Sequence, residues 1–188
     1  VAHEIRNPLA AIMQANALLE EDLQQPAQKR LSQMVQQNAD RLARIAEEIL
    51  DIARVQHQIS HAPVATLALD STAAQIWQDW SSHDPAQRQG RVTLAAGEVH
   101  VEFDTEHLRR VLVNLLDNAL RYKSSEPDAL QLSTRISAPG QACVQVWSDG
   151  APMDQSVERH LFEPFFSSAS RSSGLGLYIC RELCERHG

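Results

Sequence analysis

The sequence predicts an all-α helical hairpin that is followed by an α+β sandwich. The first 56 residues contain no glycine, and their apolar residues recur in alternating steps of three and four, which is the spacing of one helix face. Beyond residue 66, short apolar and β-branched runs alternate with helical stretches, as in a sheet covered by helices on one face. We therefore expect domains at 1–58 and 67–188, joined by a linker at 59–66.

The hairpin should consist of a first helix to about Glu21, a turn near residues 22–27 with Pro26 as breaker, and a second helix to about residue 56. Two helices cover such stripes only in part, so pairing with a second copy into a four-helix bundle would bury both. The alternative is a hairpin docked on its own domain. The predicted stripe contains Ile5, Leu9, Ile12, Asn16, Leu19 and Leu23, then Leu31, Val35, Asn38, Leu42, Ile45, Ile49 and Ile52.

The sandwich is predicted from four β-type runs and three helical stretches. The runs are residues 91–94, 99–103, 130–136 and 142–147, and the helices are residues 71–82, 105–122 and 174–186. The expected sheet is antiparallel or mixed.

Composition excludes several classes of protein. The net charge of −7 disfavours nucleic acid as a partner, and no apolar run approaches the ~20 residues that span a bilayer. Three cysteines are too few for a disulfide framework, so we interpret Cys180 and Cys184 as packing residues.

Polar residues off the helical stripes indicate chemistry. His3, Glu4 and Asn7 lie on the solvent side of the first helix, with Asn7 one turn from the imidazole. Asn114 and Asn118 share a stripe of the helix at 105–122. Their amide oxygens could hold Mg²⁺ without repelling phosphates, and Arg121 and Tyr122 could meet phosphate oxygens. The alternative is a solvated polar stripe.

Two loops and an aromatic anchor follow this helix. One loop covers residues 148–153, and the other, residues 172–177, opens the last helix with glycines that allow backbone N–H groups to approach an anion. Between them, Phe162–Phe166 precedes a run of small residues at 167–173, which is typical of a mobile lid.

These five motifs, in this order, resemble the H, N, G1, F and G2 boxes of sensor histidine kinases of two-component signalling, most closely those of the PilS and NtrB type. The resemblance implies a dimeric phosphoacceptor hairpin followed by an ATP-binding domain of the Bergerat (GHKL) type that lacks its last strand here. It further implies ATP and Mg²⁺ as cofactors, a response regulator receiver domain as partner, and the cytoplasmic portion of a bacterial inner-membrane sensor, with no membrane contact by this fragment.

The resemblance also implies roles for individual residues. His3 would accept the phosphoryl group, Glu4 would orient its ring, and Asn7 would position the water that dephosphorylates the regulator. Asn114 and Asn118 would contact Mg²⁺ and phosphate. The other nucleotide contacts implied are Arg121, Tyr122, Ser148, Asp149, Gly150, Phe165, Gly174, Leu175 and Gly176.

The G1 box departs from the family pattern. Ser148 occupies the position of the aspartate that binds adenine, and Pro152 that of the second glycine. Losing such an acceptor typically costs ~1–3 kcal/mol of binding. Asp149 is one residue late and, in a strand, would point to the opposite face, unless the register slips. A nucleotide-impaired scaffold, a phosphatase-biased pseudokinase and another ATPase of the same fold therefore stay as alternatives.

Overall fold

The computed structural model describes residues 2–57, 65–166 and 174–187; the side chains of residues 2–6, 44, 47, 48 and 50–57 lie outside the description. The chain divides into two compact units, residues 1–61 with 163–175 and residues 62–162 with 176–188. The predicted linker at 59–66 falls almost wholly outside the described ranges, so the domain limits expected from the sequence stay a prediction.

The predicted hairpin is present as α1 (Ala2–Asp22) and α2 (Pro26–His57). Pro8 lies inside α1. Pro26 does not lie within the turn that separates the helices, as predicted, but is the first residue of α2. The backbone N–H of the first helical residue has no hydrogen-bond partner within the helix. A proline, which lacks this N–H, therefore does not destabilise the helix there.

The contact between α1 and α2 is made by a narrow row of mostly small or polar residues. Leu9 and Asn16 of α1 are buried, as are Ser32 and Ala39 of α2. The Asn16 amide donates to the Ser32 carbonyl oxygen at 3.0 Å, and the Ser32 hydroxyl donates to Asn16 Oδ1 at 3.1 Å. Because a buried polar pair is satisfied in one register only, it fixes how the two helices align.

Most of the larger apolar side chains of the predicted stripe do not take part in this contact. They stay 44–62% exposed within the single hairpin, on a face of each helix adjacent to the buried row. The exposed residues include Ile12, Leu19, Leu31, Val35, Leu42 and Ile49.

The second unit is the predicted α+β sandwich. Strand β1 (Thr66–Ala68) pairs antiparallel with β3 (His100–Glu102). A three-stranded mixed sheet has the order β2 (Arg91–Ala95), β4 (Leu130–Ala138) and β5 (Gln141–Ser148), with β2 and β4 parallel and β4 and β5 antiparallel. The helices are α3 (Leu69–Ser82), α4 (Thr105–Tyr122), α5 (Gln155–His160) and α6 (Gly176–His187).

The core lies between the sheet and the helices. Leu112 of α4 and Ile76 of α3 are almost fully buried against Leu132 of β4, and Leu116 packs with Trp80 and Leu130 in an adjoining cluster. This packing presents one face of α4 to the core, while α6 packs against another face of the same helix.

Some local predictions were incomplete. β1 and α5 were not predicted because segments of three and six residues are too short to show a period. Cys180 is buried as predicted, whereas Cys184 is exposed. In the described part of the chain, no helix combines the length and the apolarity that crossing a bilayer requires.

Candidate functional site

Helix α4 carries the polar stripe of the candidate site. The Asp104 carboxylate caps its start by accepting from the His107 backbone N–H at 3.0 Å. On the side away from the buried leucines, Asn114 and Asn118 are half-buried, while Arg121 and Tyr122 are exposed. Two half-buried amides one turn apart need polar partners, because burial without them is costly.

Asn114 faces the first turns of α6. A Cβ atom at position 176 would lie 3.4 Å from Asn114 Oδ1, so Gly176 lets the start of α6 approach this amide closely. The Cys180 thiol, which lies near this amide, donates to the Val111 carbonyl oxygen at 3.7 Å. Burial raises the pKa of that thiol to about 12, so the sulfur stays neutral and unreactive beside the amide.

The last turn of α4 meets the loop that follows β5. A Cβ atom at Gly150 would lie 2.7 Å from the Tyr122 carbonyl oxygen. Only glycine therefore fits there without movement of the backbone, which explains this glycine of the predicted G1 box.

Asp149, in the same loop, is bound to the residue that follows the capped end of α4. Its two carboxylate oxygens accept from the Ser124 backbone N–H at 2.8 Å and from the Ser124 hydroxyl at 2.5 Å. The Ser124 side chain, followed by the Ser124 backbone N–H, holds the pKa of Asp149 below its ordinary value. Sequence reasoning missed Ser124, since a serine after a helix is a common turn residue.

Ser148 is the last residue of strand β5. It is half-buried and shares its side of the strand with Val144 and Val146, which pack against the core, whereas Trp147 is 45% exposed. The side chains of β5 therefore alternate between core and solvent as far as Ser148.

The predicted F and G2 boxes flank residues outside the described ranges. Phe165 is exposed and has a φ of 65°, a left-handed conformation that is uncommon for a non-glycine residue. Gly174 has a φ of 74°, and a Cβ there would lie 2.5 Å from the Phe166 carbonyl oxygen. The backbone on both sides of residues 167–173 therefore meets at this glycine. Leu175 beside it is buried; these residues belong to the unit that contains the hairpin.

His3 and Glu4 lie in α1, with their side chains outside the description. Asn7 of the same helix is exposed. The structure thus brings together Asn114 with Gly176, and Tyr122 with Gly150.

The residues on α4 fit a hard cation that is held mainly by phosphate and water. Within the described ranges, no three histidine, cysteine or acidic residues cluster as a metal site. The half-buried amide oxygens of Asn114 and Asn118 are neutral ligands of the kind that Mg²⁺ accepts beside phosphates.

Two known families match the chain. Residues 1–58 match the His Kinase A (phospho-acceptor) domain, and residues 103–188 match the histidine kinase-, DNA gyrase B- and HSP90-like ATPases. The sensor protein kinase PilS of Pseudomonas aeruginosa is 32% identical over 189 residues, covering 98% of this chain and 35% of that protein. The alginate biosynthesis sensor protein KinB of Pseudomonas aeruginosa is 30% identical over 193 residues, covering 100% and 32%. The chain belongs to the sensor histidine kinases and comprises their catalytic core.

Solved structures share this fold. ShkA, full-length and in complex with AMPPNP, has a TM-score of 0.68 at 19% identity, over 98% of this chain and 39% of that one. The histidine kinase ThkA in complex with the response regulator protein TrrA has a TM-score of 0.66 at 23% identity, over 100% and 53%. The chain spans about a third of the length of PilS and KinB.

Proposed function

We propose that this chain uses ATP to phosphorylate His3 and passes the phosphoryl group to an aspartate of a response regulator. The observation that carries the proposal is the half-buried Asn114 on α4, against the glycine that begins α6. A polar helix face beside a glycine-opened helix N-terminus suits the phosphates of a nucleotide. The match of residues 1–58 to a phospho-acceptor domain supports His3 as the acceptor.

The chemistry requires positioning and charge neutralisation. His3 Nε2 attacks the γ-phosphorus, the N–P bond forms as the bond to the β–γ bridging oxygen breaks, and ADP leaves. Glu4 accepts a hydrogen bond from the other ring nitrogen and so keeps the attacking lone pair on Nε2. Arg121 and Tyr122 donate hydrogen bonds to phosphate oxygens. Asn118 and Asn114 would hold Mg²⁺, which would neutralise phosphate charge there.

The other nucleotide contacts that we assign lie in the two loops. Ser148 and Gly150 border the base side, and the backbone of Gly174, Leu175 and Gly176 meets the phosphates, with Phe165 anchoring the lid. These roles follow the order of the motifs in the sequence.

We assign phosphatase activity to Asn7. It is exposed and lies one helical turn from His3, where its amide can orient a water toward the phosphoaspartate of a regulator docked on the hairpin. The same hairpin would form a homodimer through its exposed apolar stripe. The longer protein is proposed to be a membrane-anchored sensor with this core in the cytoplasm.

The kinase proposal is tested by incubating the chain with γ-labelled ATP and Mg²⁺. We expect an acid-labile, base-stable label, as phosphohistidine gives. His3→Gln should carry no label, and Asn118→Ala should reduce labelling by at least about tenfold. Gln78→Ala, which removes an exposed helical amide of α3 away from the site, serves as the matched control.

Labelling equal in His3→Gln and wild type would refute His3 as acceptor. Absence of label from a folded wild-type chain would refute the kinase activity. Transfer is then tested by adding a receiver domain and following movement of the label.

A second candidate function is a nucleotide-impaired signalling scaffold or phosphatase-biased pseudokinase. Ser148 in place of an aspartate favours it, because the neighbouring Asp149 carboxylate already accepts from Ser124 through both of its oxygens. Nucleotide titration separates the two: a scaffold should show no Mg²⁺-dependent ATP affinity at millimolar concentration.

A further inference from the structure

One carboxylate joins two parts of the candidate site that are 25 residues apart in sequence. Ser124 follows Lys123, whose backbone N–H donates to Ala119 and so closes the last turn of α4. The Asp149 carboxylate accepts hydrogen bonds from both donors of Ser124, the backbone N–H at 2.8 Å and the hydroxyl at 2.5 Å. Hydrogen bonds to an ionised carboxylate are the stronger kind.

The backbone of Asp149 holds the other end of the same loop. Its N–H donates to the Ala129 carbonyl oxygen at 3.1 Å, and the Ala129 N–H donates to Glu126 at 3.2 Å. The Glu126 N–H in turn donates to the Ser124 hydroxyl at 3.1 Å. Asp149 therefore closes the loop between α4 and β4 at both ends.

The loop that Asp149 closes directly follows two residues that would bind phosphate. Arg121 and Tyr122 are in the last turn of α4, immediately before the loop that Asp149 closes, and the Tyr122 carbonyl oxygen lies against Gly150. Both side chains are exposed, so their position depends on the backbone that carries them. Fixing that backbone reduces the ordering that a ligand would have to impose.

We propose that Asp149 is a positioning residue: through Ser124 it holds the end of α4 against the G1 loop, so that Arg121 and Tyr122 are set to meet nucleotide phosphates. This inference rests on the proposed function as far as the nucleotide is concerned. It differs from a base-binding role for Asp149, because a positioning residue acts on all nucleoside triphosphates equally, whereas a base contact discriminates between them.

The test uses the whole chain with Asp149→Ala, Asp149→Asn and Ser124→Ala. Asp154→Ala is the matched control, since Asp154 is an exposed aspartate that accepts from the Ser156 N–H at 2.7 Å and the Ser156 hydroxyl at 2.6 Å. Two quantities are measured: amide hydrogen exchange at Ser124 without nucleotide, and the Kd values for Mg²⁺–ATP and Mg²⁺–GTP.

We expect Asp149→Ala to speed amide hydrogen exchange at Ser124. It should also raise the Kd values for Mg²⁺–ATP and Mg²⁺–GTP by the same factor, roughly three- to tenfold. Asp149→Asn keeps an oxygen for the Ser124 N–H and should recover part of the affinity. Ser124→Ala keeps that N–H and should have an intermediate effect. Asp154→Ala should leave exchange at Ser124 and both Kd values unchanged.

Two results would overturn the inference. Unchanged exchange at Ser124 in Asp149→Ala would show that the contact holds nothing in place, and a changed ATP-to-GTP ratio would show that Asp149 touches the base. If the wild-type chain binds neither nucleotide, the proposed function is refuted, and so is the role of Asp149 in nucleotide binding. The exchange measurement still decides whether Asp149 orders the loop.

Discussion

Gly174 and Gly140 have nearly the same backbone conformation in different surroundings. Their φ angles are 74° and 75°, so an L side chain is strained at either position. A Cβ at Gly140 would meet nothing within 4 Å, whereas a Cβ at Gly174 would lie 2.5 Å from the backbone of Phe165 and Phe166. The pair therefore separates the cost of a left-handed conformation from the cost of a steric clash.

We predict that Gly174→Ala disturbs its surroundings more than Gly140→Ala does. The left-handed conformation lowers the free energy of unfolding of both variants by about 1–2 kcal/mol. In Gly174→Ala, the clash of the new Cβ with backbone atoms lowers it by about 1–3 kcal/mol more. Hydrogen exchange at Phe166, whose N–H donates to Glu163 at 3.3 Å, measures the difference. Equal exchange at Phe166 in the two variants would contradict the clash.

At the scale of elements, α4 and α6 meet through a pair of histidines. His107 Nδ1 lies 3.0 Å from His187 Nε2, and the His187 ring packs on Phe103 with 4.1 Å between centroids. One proton between these nitrogens makes the hydrogen bond while both rings are neutral. Protonating the accepting nitrogen would turn one ring positive and set two N–H donors against each other. The negative charge of Asp104 favours protonation of both rings. The positive charge of Arg186 opposes protonation of both rings, and that of Arg110 opposes protonation of His107.

We predict that this pair destabilises the fold as the pH falls. Burial, ahead of the neighbouring charges, holds the pKa values of His107 and His187 below their ordinary value of 6.5. The unfolded chain then binds more protons, so stability is complete above pH 6.5 and decreases as the pH falls through 6.5 toward the lower folded pKa values. The measurement is the free energy of unfolding in urea between pH 7.5 and 5.5. His107→Gln should flatten this dependence, and an unaltered slope would be evidence against it.

At the scale of the whole molecule, the exposed apolar stripe of the hairpin is the surface through which we expect two copies to pair. Leu19 and Leu31 are each 62% exposed and Leu42 is 54% exposed in the single chain, an arrangement that a second hairpin would cover. The buried row with Asn16 and Ser32 already joins α1 to α2. The stripe is therefore free for a contact between copies.

We predict that Leu42→Lys shifts the chain from dimer to monomer by at least about tenfold in Kd, because a charged side chain would be buried at the interface. The matched control is Gln37→Lys, which adds the same charge at an exposed position away from the stripe. Sedimentation velocity over a range of concentrations measures both. A dimer constant equal in the two variants, with helicity retained, would refute dimerisation through this stripe.

Local pattern predicted much of the architecture. The alternation of three and four identified both hairpin helices, and the period of 3.6 gave the bounds of α4 as residues 105–122, which the structure confirms. The order of motifs likewise identified the family before any contact was known. These features were predictable because side-chain periodicity and motif spacing are local properties of the chain.

Tertiary structure decided which residues meet. Only packing selects Asn16, rather than the larger neighbouring residues, for the contact with α2, turns Asp149 toward Ser124, and joins His107 to His187 across 80 residues. Each contact depends on where elements cross rather than on the pattern within one element. The sequence by itself thus determined the elements and the family, whereas the fold determined the partners, because a side chain's partner is set by the three-dimensional approach of distant backbone.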